Sequence, residues 1–273
     1  MQRVKLAAHR GYSAVYPENT LLAFKEALKL DVDMLEIDLH MTKDGEIILM
    51  HDHTVDRTTN GTGFIKDKTL AQMRMLDAGS WKSTAFAGEK VPLFREFLEL
   101  VKDYPQMEIN IELKDYVNTC GKERAFLSCD KSLALIEEYA ITDRIYINCW
   151  SGAILQYIAD KYPGKYRMHA YYPAELLGDE FDRESIYSKM FCACLFEYDI
   201  IDGKRKIAQR VRAKADFDYV KSLGLEAWVY YKEETPDLIK TSYENGAVGF
   251  TCNDPVRGGK ILDEIGARKL RLK

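Results

Sequence analysis

Two stretches of the chain carry carboxylates at a spacing that suggests chemistry. Met34-Leu35-Glu36-Ile37-Asp38-Leu39-His40 and Glu108-Ile109-Asn110-Ile111-Glu112-Leu113-Lys114 both read as β-strands. Residues two apart in a strand share a face, so Glu36 points with Asp38 and Glu112 with Lys114. Three carboxylates converging in a small volume repel one another, and burying them uncompensated is costly. A divalent cation with oxygen ligands resolves the conflict, whereas the bland reading of Glu36 and Asp38 alone is a salt-bridged strand end. Two histidines end neighbouring runs: His9, followed by Arg10, and His51. Histidine suits proton transfer near neutral pH because its ordinary pKa lies close by. Arg10 and Lys114 add cations that suit a phosphate, the first able to hold two oxygens and the second acting as a point charge. The other histidines read differently. His40 continues the face of Glu36 and Asp38 but falls past the site, and His53 and His169, which carry no motif, are expected at the surface or in packing.

Elements that position these residues alternate along the whole chain. Strand-like runs cover Leu6–His9, Met34–His40, Ile47–His51, Glu108–Lys114, Arg144–Trp150, Arg167–Tyr172, Phe191–Tyr198, Glu226–Tyr231 and Gly249–Cys252. Between them fall amphipathic stretches: one opened by Asn19-Thr20, then Pro92–Tyr104, Arg124–Tyr139, Ala153–Lys161, Ala213–Ser222 and Pro236–Asn245. Gly224 and Gly246 lie just beyond two of these, as helix-ending residues do. Repeated strand–helix units imply a parallel sheet with helices outside it, and about eight units in this length favour a closed (β/α)8 TIM barrel over an open doubly wound sheet. In such a barrel, groups at the C-terminal strand ends line the active-site mouth. The stretch 52–90 breaks the rhythm. It is polar, contains Asn60-Gly61-Thr62-Gly63, and reads as an excursion over one mouth without a core of its own, leaving residues 1–273 as a single domain.

Composition narrows the class. The chain has 273 residues, 47% hydrophobic and 30% charged, an ordinary globular balance that excludes wholesale disorder. A net charge of -4 argues against a nucleic-acid binder that relies on a broad basic face. No apolar run is long enough to cross a bilayer, and the start Met1-Gln2-Arg3-Val4-Lys5 is not that of a cleavable leader. Six scattered cysteines suit reduced thiols, and the close pair Cys192 and Cys194 reads as strand filler, since it lacks the second pair of a zinc site. The expectation is a soluble cytoplasmic protein.

The ordered set of motifs resembles the glycerophosphodiester phosphodiesterase family. The matching runs are His9-Arg10-Gly11, Pro17-Glu18-Asn19-Thr20, Glu36-x-Asp38, Thr42-Lys43-Asp44-Gly45, His51-Asp52, Asp56-Arg57-Thr58-Thr59-Asn60-Gly61, Asp77-Ala78-Gly79-Ser80-Trp81 and Glu112-Leu113-Lys114. The match is dense over roughly the first 115 residues and sparse afterwards. It implies a TIM barrel with Glu36, Asp38 and Glu112 holding one divalent cation, for which Mg2+ and Ca2+ both suit an all-oxygen site. It further implies His9 and His51 as the acid–base pair, Arg10 and Lys114 on phosphate, and Glu18 and Asn19 in support. The substrate would be a glycerophosphodiester, cleaved to sn-glycerol 3-phosphate and an alcohol. The motifs leave open which histidine is the acid and whether water or a substrate hydroxyl attacks. The second half departs from the family pattern at Tyr230-Tyr231, at Thr251-Cys252-Asn253-Asp254-Pro255 and over Phe191–Lys206, which bears on the head group. Trp150 and Tyr230 are candidates for the wall of its pocket, with Trp228 as readily core. Two alternatives stand beside this reading: a lysophospholipase D-type hydrolase, and a barrel that binds phosphate esters without turnover.

Overall fold

The short apolar runs become eight parallel strands that close on themselves. In this computed structural model, which describes residues 4–269, the strands are β1 (Lys5–His9), β2 (Met34–Met41), β3 (Ile47–Leu49), β4 (Glu108–Leu113), β5 (Ile145–Asn148), β6 (Arg167–Tyr172), β7 (Cys192–Leu195), β8 (Glu197–Ile201), β9 (Lys204–Ala208), β10 (Glu226–Tyr230) and β11 (Gly249–Cys252). The barrel runs β1-β2-β4-β5-β6-β7-β10-β11 and returns to β1, while β3 pairs antiparallel with the end of β2. The expected (β/α)8 barrel is therefore the architecture. All eight residues of β2 are buried, because its outer face meets helices and its inner face meets the barrel interior.

The helices are α1 (Leu21–Leu28), α2 (Leu70–Met75), α3 (Phe94–Val101), α4 (Val117–Cys120), α5 (Lys122–Glu138), α6 (Gly152–Lys161), α7 (Lys214–Ser222), α8 (Pro236–Asn245) and α9 (Pro255–Glu264). Thr20 starts α1 by accepting from the Ala23 N–H at 3.2 Å, and the helix lays Phe24, Ala27 and Leu28 on the barrel. α9 lies beyond the helices expected from the sequence. Its signals are local: Asp254 accepts from the Val256 and Arg257 N–H groups at 3.1 Å each, with Pro255 in the first turn. None of the helices among the described residues is long and apolar enough to cross a membrane.

Register sets the height of the functional side chains. His9 pairs with Glu36, Asp38 with Glu112, Glu112 with Asn148, and Asn148 with His169, so inward groups of five strands meet near one level. Below them the barrel is plugged by Tyr146 and Trp228, whose rings lie 4.9 Å apart. Trp228 is 2% exposed and donates its indole N–H to Glu226, which makes it core and not pocket wall.

Two expectations need correction. The 52–90 excursion has a small core of its own: Val55, Ile65, Met73, Ala78 and Val91 pack with Ile48 and Met50. Ile48 of β3 and Met50 just after it turn away from the barrel core, and the insertion buries them. Phe191–Tyr198 is also not one strand. The barrel strand stops at Leu195, and Glu197 begins an antiparallel hairpin of β8 and β9. Both halves are rich in strand-forming residues, so local propensity does not mark the boundary.

Candidate active site

The turn after β1 starts the site. His9 Nδ1 lies 2.6 Å from Asn253 Oδ1. The Asn253 amide nitrogen donates to the Lys232 carbonyl at 2.8 Å, so its oxygen is the atom that faces the ring and His9 Nδ1 carries the hydrogen. Nε2 is then the unprotonated nitrogen, 3.9 Å from Glu36 Oε2. Burial, helped by the adjacent Arg10 charge, pushes the His9 pKa down to about 3, and the ring is neutral near pH 7. Arg10 follows with a left-handed φ of 57°, an uncommon conformation for a residue with a side chain. It turns the Arg10 N–H onto Glu36 Oε2 at 2.8 Å and brings its guanidinium to Glu18 at 2.7 Å and Asp38 at 3.3 Å. Gly11 is required next: at φ 80° a Cβ would come within 2.7 Å of the Ala23 backbone.

The three carboxylates converge as their spacing implies. Ligand atoms of Glu36, Asp38 and Glu112 all lie within 4.8 Å of one another, and all three residues are buried. Asn19 donates to Asp38 Oδ2 at 2.7 Å, and the Tyr116 hydroxyl donates to Glu112 Oε1 at 2.9 Å. Lys114 sits 3.1 Å from Asp38 and 2.5 Å from Glu112. Burial and the Asp38 charge push the Glu36 carboxyl well above the usual carboxylate range. Asp38 is buried too, but Lys114 leads a group of cations that hold it low. Two cations, Arg10 and Lys114, face three buried carboxylates, with Lys114 Nζ 3.1 Å from Asp38 Oδ1. An all-oxygen cluster of carboxylates outnumbering its cations fits a hard divalent cation.

His51 reaches the same space from beyond β3. Its Nδ1 lies 2.6 Å from Asp52 Oδ1, and Arg57 of the insertion holds the other Asp52 oxygen at 2.7 Å. Arg57 also forks onto Glu18 at 2.8 and 2.9 Å. Burial works against ionisation of Glu18, yet hydrogen bonds from Arg57 and Arg10 keep its carboxyl below the usual range.

These groups surround a cavity of about 310 Å³. His9, Arg10, Glu36, His51 and Glu112 form one side, and Trp150, Tyr171, Phe196 and Tyr230 form an aromatic wall opposite. Trp150 stacks on Tyr171 at 3.9 Å, and Tyr230 lies against His9 at 4.3 Å. Asp38 and Lys114 are not on the cavity lining; Lys114 is 3% exposed and turned to its two carboxylates. Glu18 and Asn19 sit behind Arg10 and Asp38, in supporting positions. His40 is buried beside the cavity, with Nδ1 3.0 Å from Asp115 and Nε2 3.4 Å from the His51 carbonyl oxygen. His53 packs its ring against His40 and Tyr116.

His169 takes the second of its two expected settings, buried in packing with its ring 5.1 Å from Trp228. It is a cavity residue, 3% exposed on the barrel floor, because β6 turns its odd-numbered residues inward. Tyr171 donates to Asn148 at 2.8 Å, and Asn148 donates to Asn110 Oδ1 at 2.9 Å. His169 Nδ1 lies 3.2 Å from that same oxygen, and Nε2 is buried with no partner among the described residues. Sequence reasoning also passed over Arg57, Asn253 and Tyr116. Arg57 stands in the matched Asp56-Arg57-Thr58-Thr59 run, which was the available signal; the other two become partners only through the fold.

The chain belongs to the glycerophosphoryl diester phosphodiesterase family, whose model matches residues 9–255. A glycerophosphodiester phosphodiesterase of Caldanaerobacter subterraneus subsp. tengcongensis is 43% identical over 145 residues, 53% of this chain and 57% of that protein. Another, from Bacillus subtilis, is 48% identical over 105 residues, 36% of each chain. The chain thus spans about half or less of the length of the curated relatives it matches. Among solved structures, a Silicibacter pomeroyi putative glycerophosphoryl diester phosphodiesterase superposes with a TM-score of 0.80 at 21% identity, covering 97% of this chain and 95% of that one. An Oleispira antarctica phosphodiesterase in complex with sn-glycerol-3-phosphate gives 0.78 at 21% identity, covering 96% and 97%. Both likenesses concern the fold.

Proposed function

We propose that the protein hydrolyses glycerophosphodiesters to sn-glycerol 3-phosphate and an alcohol, with the 52–90 insertion belonging to the same catalytic unit. The observation that carries this reading is the convergence of His9, His51, Arg10, Glu36 and Glu112 on one cavity, with Asp38 within 4.8 Å of the two glutamates. Glu36, Asp38 and Glu112 would hold Mg2+ or Ca2+, which would polarise a phosphate oxygen and favour ionisation of an attacking hydroxyl. Arg10 and Lys114 supply positive charge for the phosphate, Arg10 from the cavity side and Lys114 from behind Asp38, whose carboxyl it holds low.

The hydrogen bonds support a division of labour between the histidines. His9, with its hydrogen on Nδ1 and a bare Nε2, acts as base. His51, whose Nδ1 faces the Asp52 carboxylate, delivers the proton to the leaving alcohol; a carboxylate in this place fixes the ring's orientation. The glycerol 2-hydroxyl attacks phosphorus, its proton passing to His9 Nε2. The bond from phosphorus to the departing alkoxide breaks as His51 protonates that oxygen, leaving a five-membered cyclic phosphate. Water then opens the ring with the roles reversed. Attack from within the substrate draws on proximity, worth up to roughly 7–11 kcal/mol in good geometry. Asn110, Asn148 and His169 face the hydroxyl-bearing part of the substrate from the floor. An acidic chain with six unpaired cysteines fits the reducing cytoplasm.

The test is turnover of glycerophosphocholine by metal-stripped protein with Mg2+ or Ca2+ restored separately. Activity should vanish on stripping and return with one of the ions; full activity after exhaustive chelation would overturn the cluster's role. An analogue lacking the 2-hydroxyl should bind but barely turn over. Hydrolysis at a rate close to that of the natural substrate would make water the nucleophile.

A further inference from the structure

Among the described residues, the hairpin of β8 and β9 makes no strand pairing with the barrel. Asp202 and Gly203, at φ 53° and 71°, form the two-residue turn whose twist matches paired strands. Its register places Tyr198 opposite Ile207 and Ile200 opposite Arg205 on one face, with Ile201 opposite Lys204 on the other. Ile207 lines the cavity, so the hairpin stands at the barrel mouth and its tip projects past it. The tip is apolar where it meets water. Ile200 is 63% exposed, Ile201 43% and Ile207 38%, three of the eleven exposed large hydrophobic residues within eight positions. Single exposed apolar residues need no explanation, but here Ile200 and Ile207 share one face and Ile201 takes the other, so both sides of the tip are apolar.

The charge beside that cluster is not neutralised. Lys204, Arg205 and Lys206 are exposed and consecutive, and they form no ion pair among the described residues. The nearby carboxylates Asp199 and Glu197 are taken by Arg210 and Arg212. Only Asp202 offsets the three cations, on a chain whose net charge is -4. A soluble polyanion would satisfy the cations and leave the isoleucines wet. An apolar protein groove would do the reverse. A second copy would bring an identical basic run against this one.

We propose that the hairpin adsorbs the barrel mouth to an anionic lipid bilayer, with Ile200 and Ile201 entering the head-group boundary and Lys204, Arg205 and Lys206 facing lipid phosphates. A bilayer meets both needs, since peripheral binding combines buried apolar area with attraction to anionic lipid. Adsorption would turn the cavity towards the surface, whatever reaction the cavity performs.

The experiment is co-sedimentation of the whole protein with vesicles of phosphatidylcholine alone or mixed with equal phosphatidylglycerol, at low and physiological salt. The anionic vesicles should bind roughly tenfold or more tightly, with the preference shrinking as salt rises. Lys204→Glu/Lys206→Glu should abolish the preference, and Ile200→Ser/Ile201→Ser should weaken binding to both vesicle types. Circular dichroism and turnover of a water-soluble substrate should stay unchanged in these surface variants. Absence of wild-type binding to anionic vesicles, or equal binding by the variants, overturns the proposal. A dimer in light scattering that depends on Ile200 and occurs without vesicle binding assigns the surface to a second copy and also overturns it.

Discussion

Replacing Asn253 with Leu tests whether the His9 tautomer matters. Asn253 is the acceptor that keeps the His9 hydrogen on Nδ1, at 2.6 Å, and Leu fills similar space without an acceptor. In the variant, the hydrogen on Nδ1 loses its acceptor, whereas a hydrogen on Nε2 points towards Glu36 Oε2, 3.9 Å away. Leaving a buried donor unsatisfied costs about 1–3 kcal/mol. That swing lowers the population of the form with a bare Nε2 by roughly 5- to 150-fold, and kcat should fall by about that factor. KM should hardly change, because substrate binding rests on Arg10 and the carboxylate cluster. Asn253→Asp restores an acceptor and should retain more kcat than the Leu variant. Its negative charge favours protonated His9, so the pKa rises from about 3 and the acid limb of the kcat profile moves to higher pH. Steady-state kinetics with glycerophosphocholine across pH decides the matter. A Leu variant with kcat within about twofold of wild type, or one impaired only through KM, refutes the tautomer argument.

His51→Ala should lower turnover by roughly two to four orders of magnitude, and a variant retaining more than a tenth of wild-type turnover would return His51 to a structural role. Glu36→Ala should weaken binding of the divalent ion in calorimetry and the thermal stabilisation that the ion confers, in parallel, since a ligand of the native state stabilises it by mass action; loss of one without the other would dissociate Glu36 from the metal. His169 carries a sign-specific prediction: burial lowers its pKa from 6.5 to about 3, so below pH 6.5 the unfolded chain takes up a proton that the native state refuses. Native stability therefore falls as pH drops through that window. Between pH 7 and pH 5 wild type should lose about 2 kcal/mol more than His169→Phe in urea unfolding, and equal losses would contradict a buried neutral ring.

Much of the site was legible because its residues are local in sequence. The period of two in Met34–Met41 and Glu108–Leu113 placed Glu36, Asp38 and Glu112 on inward faces, and the strand-end positions of His9 and His51 followed from the same pattern. What escaped depends on contacts between distant segments. Asn253 lies 244 positions from His9, and no local feature marks it as the ring's acceptor. His169 looked unremarkable because a lone histidine amid Arg167–Tyr172 shows its direction only once the strand's inward parity is known. The hairpin hid in Phe191–Tyr198 because the barrel strand runs into β8 with Phe196 alone between them, and the two-residue turn at Asp202-Gly203 betrays it.

The same contrast explains why the insertion belongs to the site. His9 ends the first barrel strand and His51 lies on the hairpin after the second, so barrel packing alone does not set their relation. A chain of charge-assisted contacts does. His51 holds Asp52, Asp52 and Glu18 share the fork of Arg57, and Glu18 grips Arg10, the neighbour of His9. Charged partners of this kind are shorter and stronger than neutral hydrogen bonds, and a planar guanidinium fixes direction as well as distance. Arg57 is 44% exposed at its side chain, which argues against a main role in overall stability, since exposed ion pairs contribute little. Its value lies in geometry: one residue of the insertion ties together the two turns that carry the proposed base and acid. The small core of Val55, Ile65, Met73 and Ala78 then has a function of its own, because it anchors the loop from which Arg57 reaches across.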